Sequence, residues 1–181
     1  MAVAVGLAVV LAGIGIGLAL SSDIRLVGPG AEAPDFYAFD VRAGDTLRFR
    51  DAYVGDVVLL NVWATWCPAC EEEMPSMQRL YEQLGPEGLK VVAVSIDKAA
   101  PGFVLRWVEE RDLTFDILQD RAGRIEQIYQ TTGVPESFVI DRDGVIVKKE
   151  IGAAEWDHPA RVALFRHLLE LSASDSDARQ P

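Results

Sequence analysis

One short stretch, in which an apolar run leads directly into two cysteines, decides the fold: Asn61-Val62-Trp63-Ala64-Thr65-Trp66-Cys67-Pro68-Ala69-Cys70. Two valines and two leucines precede it, and with its first three residues they form an apolar run of strand length at residues 57–63. Such a run is typical of a central strand covered on both faces. Pro68 is a residue favoured in the first turn of a helix. The stretch therefore predicts a buried strand, a turn, and a helix that begins at the cysteines.

The predicted positions of the two cysteines make them chemically unequal. Cys67 lies at the helix N-terminus, where free N–H groups and the helix dipole favour a thiolate. A thiol with a pKa of about 8.5 is about 3% ionised at pH 7, whereas one with a pKa of about 7 is half ionised. Cys70 lies one turn further along and should be more buried. We therefore predict that Cys67 attacks a disulfide and that Cys70 resolves the mixed disulfide.

Redox chemistry is favoured over the other uses of such a pair. The chain has only these two cysteines, and their loop is too short for a cross-link to stabilise the fold much. A structural zinc site requires four ligands, and the two histidines, His158 and His167, lie far along the chain and form no close pair. Metal binding and two incidental cysteines stay open as alternatives. No metal and no cofactor is predicted.

Periodicity on both sides of the stretch predicts an α/β domain. Residues 68–84 carry apolar residues at helical spacing, and residues 90–96 repeat the strand pattern. Strand, helix and strand of this length form a right-handed βαβ unit with parallel strands. The other predicted elements are an early strand, a turn region, a helix, a short strand, a short helix, two hairpin strands and a closing helix, at residues 46–49, 51–56, 101–111, 115–118, 124–130, 137–140, 145–149 and 156–171.

The chain begins with a segment of a different kind. Residues 2–20 are all Ala, Val, Gly, Leu or Ile, and as a helix they would rise about 28 Å, close to the roughly 30 Å of a bilayer core. A cleaved signal peptide and a buried core helix are the alternatives to a transmembrane helix. The domains predicted are a membrane anchor or signal segment, a linker, one folded domain and a disordered tail, at residues 1–22, 23–32, 33–171 and 172–181.

Composition limits the partners. Hydrophobic residues make up 50% of the chain, enough for a core, and the formal net charge is −11 with a pI near 4.6. Nucleic-acid binding requires a basic patch that neutralises phosphates, so it is not expected.

At this point the sequence resembles a known family. Residues 66–70 with Pro75 resemble the active site of thioredoxins, in which a proline at this position kinks the helix. The segments 33–36, 61–67 and 133–141 resemble the TlpA/ResA/CcmG branch of that superfamily. The resemblance covers roughly residues 31–171, and it implies a thioredoxin-like fold with a central mixed β-sheet flanked by helices.

The same resemblance implies a place of action and partners. Members of the branch are membrane-tethered, extracytoplasmic proteins, and often reductants in cytochrome c maturation. It implies a monomer with a single-pass anchor and its domain on the periplasmic side of a bacterial cytoplasmic membrane. There it would reduce disulfides of exported proteins such as apo-cytochrome c and be re-reduced by a CcdA/DsbD-type membrane donor. Whether the pair donates or withdraws electrons depends on its potential and stays open.

Helical geometry distinguishes the three glutamates that follow Cys70. At 100° per residue Glu73 falls within the arc of apolar residues, whereas Glu71 and Glu72 fall outside it. Glu73 is therefore a candidate semi-buried carboxylate with a pKa raised by desolvation, able to exchange a proton with Cys70. The family carries a functional glutamate at this position; a tolerated edge charge is the alternative. Asn61 replaces the buried aspartate of thioredoxin, which shifts the proton role towards Glu73.

The Val134-Pro135 pair and its neighbour are the second candidate site. From sequence alone cis is the minority state, about 5–6% of X–Pro bonds. The resemblance implies a cis-proline placed against the redox pair, with the Val134 backbone offered to an extended substrate segment. Glu136 tunes partner choice or has a plain surface role, and both readings stay open.

Aromatic and small residues beside the cysteines complete the predicted site. Trp63 is expected in the core, while Trp66 shields the cysteines and contacts partners. The residues expected to contact substrate are Trp66, Pro68, Ala69, Val134, Pro135 and Glu136.

Three other functions are alternatives to disulfide exchange. A peroxiredoxin shares the architecture and the opening at residues 33–36, but needs a threonine three residues before its reactive cysteine, where Ala64 stands; Thr65 comes one residue too late. A copper-handling protein of the Sco kind uses a C-x-x-x-C pair and a distant histidine, and no histidine precedes Ser137. A redox-inert tethered module is disfavoured by two intact cysteines.

Overall fold

The computed structural model describes the backbone of residues 26–177 and the side chains of residues 26–171. The predicted anchor or signal segment at residues 1–22 lies outside the described residues. Within residues 26–177 no helix is both long enough and apolar enough to cross a membrane.

A seven-stranded mixed sheet forms the centre of the domain. Its strands are β1 to β7, at Tyr37–Asp40, Thr46–Arg48, Val57–Trp63, Leu89–Ser95, Asp116–Gln119, Glu136–Ile140 and Ile146–Ile151. The spatial order is β2-β1-β5-β4-β3-β6-β7. Strands β3, β4 and β5 run parallel, whereas the pairs on either side are antiparallel. The predicted mixed sheet flanked by helices is confirmed.

Helices cover both faces of the sheet. Five α-helices, α1 to α5, span Phe49–Tyr53, Pro68–Leu84, Pro101–Glu109, Arg124–Ile128 and Pro159–Asp177, and a 3-10 turn follows α2 at Gly85–Glu87. All seven residues of β3 are buried. Because side chains alternate along a strand, Leu59 and Trp63 pack under α2, while Val58 and Leu60 pack with Phe49 of α1 on the opposite face. The strand that leads into the cysteines is therefore held from both sides.

One local prediction differs from the structure for a tertiary reason. The first half of the predicted turn at residues 51–56 belongs to the short helix α1, which packs Phe49 against Phe36 at 4.9 Å between ring centroids. The Asp35 side chain accepts the Arg50 N–H of this helix at 3.0 Å, a contact that no local pattern indicates.

The closing helix also has other bounds than predicted. It begins at Pro159 instead of residue 156, in keeping with the preference of proline for the first turn. Trp156 precedes the helix and is 1% exposed, and its indole N–H donates a hydrogen bond to Glu73. The helix continues to Asp177, beyond the predicted end at residue 171.

Candidate active site

The two cysteines lie at the junction of β3 and α2. Cys67 is the N-cap of α2, and its sulfur accepts the Cys70 N–H at 3.1 Å. The two sulfurs form a disulfide, so this is the oxidised state of the pair. Cys67 is 6% exposed and Cys70 is completely buried. An incoming sulfur can therefore reach Cys67 more directly than Cys70.

A cis peptide bond joins Val134 to Pro135 beside this pair. The Val134 carbonyl oxygen lies 3.5 Å from Cys67 Sγ. This bond has the geometry that the family resemblance implies, and the loop between α4 and β6 thus runs alongside the redox sulfurs.

Glu73 faces the core, as helical geometry predicts, and is 2% exposed. Its Oε2 accepts the Trp156 indole N–H and the Ala154 backbone N–H, each at 3.1 Å, and its Oε1 accepts a hydrogen bond from Asn61 Nδ2 at 2.8 Å. Burial raises the pKa of Glu73 to about 7, although these hydrogen bonds oppose the rise. The carboxyl group is therefore about half protonated near neutral pH. Glu71 and Glu72 are exposed.

Asn61 connects this carboxylate to the next strand. Its Nδ2 also donates to Ser137 Oγ at 2.8 Å, and its Oδ1 has no hydrogen-bond partner within the described residues. The amide thus supports the ionised form of Glu73, but carries no proton of its own to give.

A surface cleft connects Glu73 with solvent. It is lined by residues from α2 and from the loop after β7: Glu72, Glu73, Ser76, Arg79, Ala153, Ala154 and Glu155. A proton on the buried carboxyl group therefore has a route to and from the surface.

The structure contradicts the expectation of a surface role for Glu136. Its side chain is completely buried, so a surface role is wrong and its carboxylate is not presented to a partner. Oε2 accepts hydrogen bonds from the Thr132 backbone N–H at 3.0 Å and hydroxyl at 3.2 Å, and Oε1 pairs with Lys149 Nζ at 2.8 Å. Glu136 therefore connects Lys149 to Thr132 and stabilises the loop that carries Val134.

The other predicted contact residues surround Cys67 at the surface. Trp66 is 65% exposed, Pro68 is exposed, and Ala69 and Val134 are partly buried. Pro135 is buried, so its contribution is to the shape of the loop. These residues form a small apolar rim around the attacking sulfur.

Sequence reasoning missed three residues of the site. Trp156 and Ser137 contact the Glu73–Asn61 pair, and Asp97 contacts the turn before Cys67. For Asp97 a signal exists, because it lies two residues after β4, at the edge where the parallel strands end and where α/β sheets place their sites. For the other two no local signal exists. Within the described part of the chain, no group of three or more His, Cys, Asp or Glu is placed to hold a metal ion.

Comparisons with known proteins agree with this geometry. The model of the AhpC/TSA family matches residues 29–149. The thiol-disulfide oxidoreductase ResA of Bacillus cereus is 37% identical over 123 residues, 68% of this chain and 69% of its own length. ResA of Oceanobacillus iheyensis is 33% identical over 141 residues, 76% of this chain and 72% of its own.

Solved structures give the same architecture. A crystal structure from Chlorobium tepidum, assigned as a thiol:disulfide interchange protein DsbE, superposes with a TM-score of 0.66 at 27% identity and covers 82% of this chain and 99% of its own. The crystal structure of StoA from Bacillus subtilis covers 77% of this chain and 98% of its own, with a TM-score of 0.59 at 24% identity; it supports the fold alone.

Proposed function

Because the chain belongs to the AhpC/TSA family and to the ResA-like thiol–disulfide oxidoreductases of thioredoxin fold, we propose that it reduces disulfides of extracytoplasmic proteins through Cys67 and Cys70. The observation that carries the proposal is the position of Cys67 as N-cap of α2, with its sulfur accepting the Cys70 N–H. The same N–H and the helix dipole stabilise the Cys67 thiolate once the disulfide is reduced.

The exchange proceeds in two balanced steps. The Cys67 thiolate attacks one sulfur of the partner's disulfide and expels the other as a thiolate, which leaves a mixed disulfide. The Cys70 thiolate then attacks Cys67 Sγ and expels the second partner sulfur. Two electrons pass to the partner, which leaves as a dithiol after it takes up two protons, and the protein is left with its Cys67–Cys70 disulfide.

Glu73 accepts the Cys70 proton in the second step. It lies one helical turn after Cys70 on the same buried face, and its pKa of about 7 allows it to take and return a proton near neutral pH. The proton then passes between Glu73 and solvent through the cleft lined by residues of α2 and of the loop after β7.

The substrate is an extended segment of an exported protein, such as apo-cytochrome c. In this proposal its backbone pairs with Val134 and its side chains contact the exposed apolar rim at Trp66 and Pro68. The protein acts as a monomer, is re-reduced by a CcdA/DsbD-type membrane donor, and is held at the periplasmic side by residues 1–22 or released by their cleavage. Support for these partners comes from the family resemblance.

The test is disulfide exchange by the purified protein. Reduced protein should reduce a peptide containing the disulfide of apo-cytochrome c, and the Cys70→Ser variant should accumulate a mixed disulfide between Cys67 and the peptide, seen by mass spectrometry. A reduction potential near −270 mV supports a reductant, while one near −120 mV indicates an oxidant. Failure of the wild-type protein to interconvert dithiol and intramolecular disulfide would contradict the proposal.

The AhpC/TSA match favours one further candidate, peroxide reduction. The turn before Cys67 opposes it, because Ala64 occupies the position at which a peroxiredoxin needs threonine. Thr65 directs its hydroxyl to Asp97 at 2.6 Å. Disulfide exchange is therefore the function that the site supports best.

A further inference from the structure

We propose that Asp97 is a positioning residue for Cys67, and that its buried carboxylate holds the turn at residues 64–66 that carries the attacking cysteine. This inference rests on the proposed function only in taking Cys67 as the nucleophile. Asp97 belongs to neither of the motifs that predict the site, and it contacts neither sulfur in the hydrogen-bond network described above.

Both carboxylate oxygens of Asp97 are used on the turn. Oδ2 accepts the Thr65 backbone N–H at 2.9 Å and the Ser95 hydroxyl at 2.7 Å, and Oδ1 accepts the Thr65 hydroxyl at 2.6 Å. Asp97 is 3% exposed. Thr65 is thus held at its backbone and its side chain by one buried group.

The backbone at Asp97 is itself held in place from two strands. Its own N–H donates to Ser95 Oγ at 3.1 Å, and Gln119 Nε2 donates to the Asp97 carbonyl at 2.8 Å and to the Ala99 carbonyl at 3.0 Å. Ser95 and Gln119 end β4 and β5; β4 lies next to β3, and β5 lies on the other side of β4, with all three strands parallel. The network therefore ties the ends of three adjacent strands to the turn before Cys67.

Only a short path separates Thr65 from the reactive sulfur. The Cys67 N–H donates to the Ala64 carbonyl at 3.2 Å, which closes the turn around Thr65, and Cys67 Sγ accepts the Cys70 N–H. Stabilisation of a charge by a helix N-terminus falls off within the first turn of the helix. A shift of the turn therefore changes the acidity of Cys67 directly.

Burying a carboxylate costs more free energy than burying a neutral side chain in the same position. The two side-chain oxygens of Asp97 are satisfied by the hydrogen bonds from Thr65 and Ser95, and no salt bridge to Asp97 is found in the described part of the chain. Its negative charge near Cys67 also disfavours the thiolate, whereas the geometry it imposes favours it. The two effects have opposite signs, so an experiment must separate them.

Two substitutions of Asp97 make this separation. Asp97→Asn removes the charge but keeps the contacts, because the amide oxygen can accept from Thr65 N–H and Ser95 while the amide nitrogen donates to the Thr65 hydroxyl. Asp97→Ala removes the charge and the contacts together. The difference between the two variants therefore isolates the positioning effect.

Asp120 provides a matched control. It is 8% exposed, lies one residue after β5 where Asp97 lies two residues after β4, and accepts the backbone N–H groups of Ala122 at 3.1 Å and Ile125 at 2.8 Å. It supports α4, and the hydrogen bonds described for it do not involve residues 64–67. Asp120→Ala should cost stability through the same kind of loss without altering Cys67.

The measurement is the pH dependence of Cys67 alkylation in the reduced full-length protein, read at this residue by mass spectrometry. We expect the apparent Cys67 pKa to be higher in Asp97→Ala than in Asp97→Asn by about half to one unit, which is about a three- to tenfold lower thiolate fraction below the pKa. Asp120→Ala should have the wild-type profile. Unfolding temperatures, measured on the same samples, identify any general loss of structure.

The inference is overturned if the two Asp97 variants have the same profile, or if Asp120→Ala shifts as far as Asp97→Ala. Should Asp97→Ala not fold, Thr65→Val replaces it, since valine removes the hydroxyl contact alone and should raise the Cys67 pKa to a smaller extent; an unchanged profile would then contradict the inference. These outcomes concern thiol acidity only, whereas failure of disulfide exchange by the wild-type protein would bear on the proposed function.

Discussion

At the scale of single residues, Glu73 has the most consequential environment. Three N–H donors, from Asn61, Ala154 and Trp156, point at a carboxyl group that is almost completely buried. The donors favour the ionised form and burial favours the neutral one, and burial is the larger effect. The result is a carboxyl group with a pKa of about 7, one helical turn after Cys70.

This environment predicts a pH dependence of stability. The pKa of Glu73 is about 7 in the folded protein against an ordinary value of 4.5, so between these values the folded state binds more protons and stability falls as pH rises. The full effect is about 3 kcal/mol at about 1.4 kcal/mol per pKa unit. Urea unfolding of the oxidised protein between pH 4.5 and 8 should show this slope in wild type and lose it in Glu73→Gln.

The adjacent glutamate is the control for that experiment. Glu72 is exposed, so Glu72→Gln removes the same charge without the burial and should keep the wild-type slope. A Glu73→Gln variant with an unchanged slope would show that Glu73 ionises normally, and the proton role assigned to it would then have no basis.

Trp156 should tune this acid. Trp156→Phe removes the indole N–H that donates to Glu73 Oε2 while it keeps an aromatic ring in the core, so the pKa of Glu73 should rise further. Carbon NMR of labelled glutamate would follow the titration in the oxidised protein. Trp66→Phe, at an exposed tryptophan, is the control, and equal titration curves for the two variants would contradict the assignment.

At the scale of elements, the loop before β6 is braced by a buried ion pair. Glu136 accepts two hydrogen bonds from Thr132 and pairs with Lys149 of β7, whose side chain is 19% exposed. Antiparallel pairing of β6 with β7 brings the two charges together. The pair thus connects the edge of the sheet to the loop that presents Val134.

Breaking this pair should destabilise the protein strongly. Lys149→Met leaves the completely buried Glu136 carboxylate without its cation, which should cost about 3 kcal/mol, the lower end for a broken buried pair because Lys149 keeps some solvent contact. Lys148→Met removes a neighbouring, more exposed partner of Glu150 and should cost less than about 1 kcal/mol. Chemical denaturation of both variants checks this, and similar losses would count against a brace at Glu136.

At the scale of the whole molecule, one architecture serves different chemistries, and the site decides between them. Residues 29–149 match the AhpC/TSA family model. Cys67 and Cys70 of this chain are three residues apart and form a disulfide with each other. This spacing allows the resolution of a mixed disulfide within the protein that the proposed function requires.

The corresponding prediction concerns peroxide. The reduced protein should consume hydrogen peroxide no faster than a small dithiol with ordinary thiolate reactivity. Ala64 supplies no hydroxyl group near Cys67, and the hydroxyl group of Thr65 is hydrogen-bonded to Asp97. A peroxide consumption assay beside the disulfide exchange assay measures both activities. Peroxide turnover comparable to peptide reduction would reverse the order of the two candidate functions.

Strongly local signals were sufficient for part of this molecule. The predicted strand at residues 57–63 and helix at residues 68–84 agree with β3 and α2 at both ends, because a continuous apolar run and an N-terminal proline act through neighbouring residues. The inward orientation of Glu73 follows from the same local geometry. Helix α1 is different, because its formation depends on packing against residues that are distant in the chain.

By itself, then, the sequence determined the redox pair, its place at a helix N-terminus and the strand behind it, since periodicity, capping and cysteine spacing are properties of adjacent residues. Only the tertiary structure decided that Trp156 and Asn61 meet Glu73, that Glu136 is buried against Lys149, and that Asp97 holds the turn before Cys67. The physical reason is that burial and hydrogen bonding across strands depend on which distant segments pack together, and no local pattern carries that information.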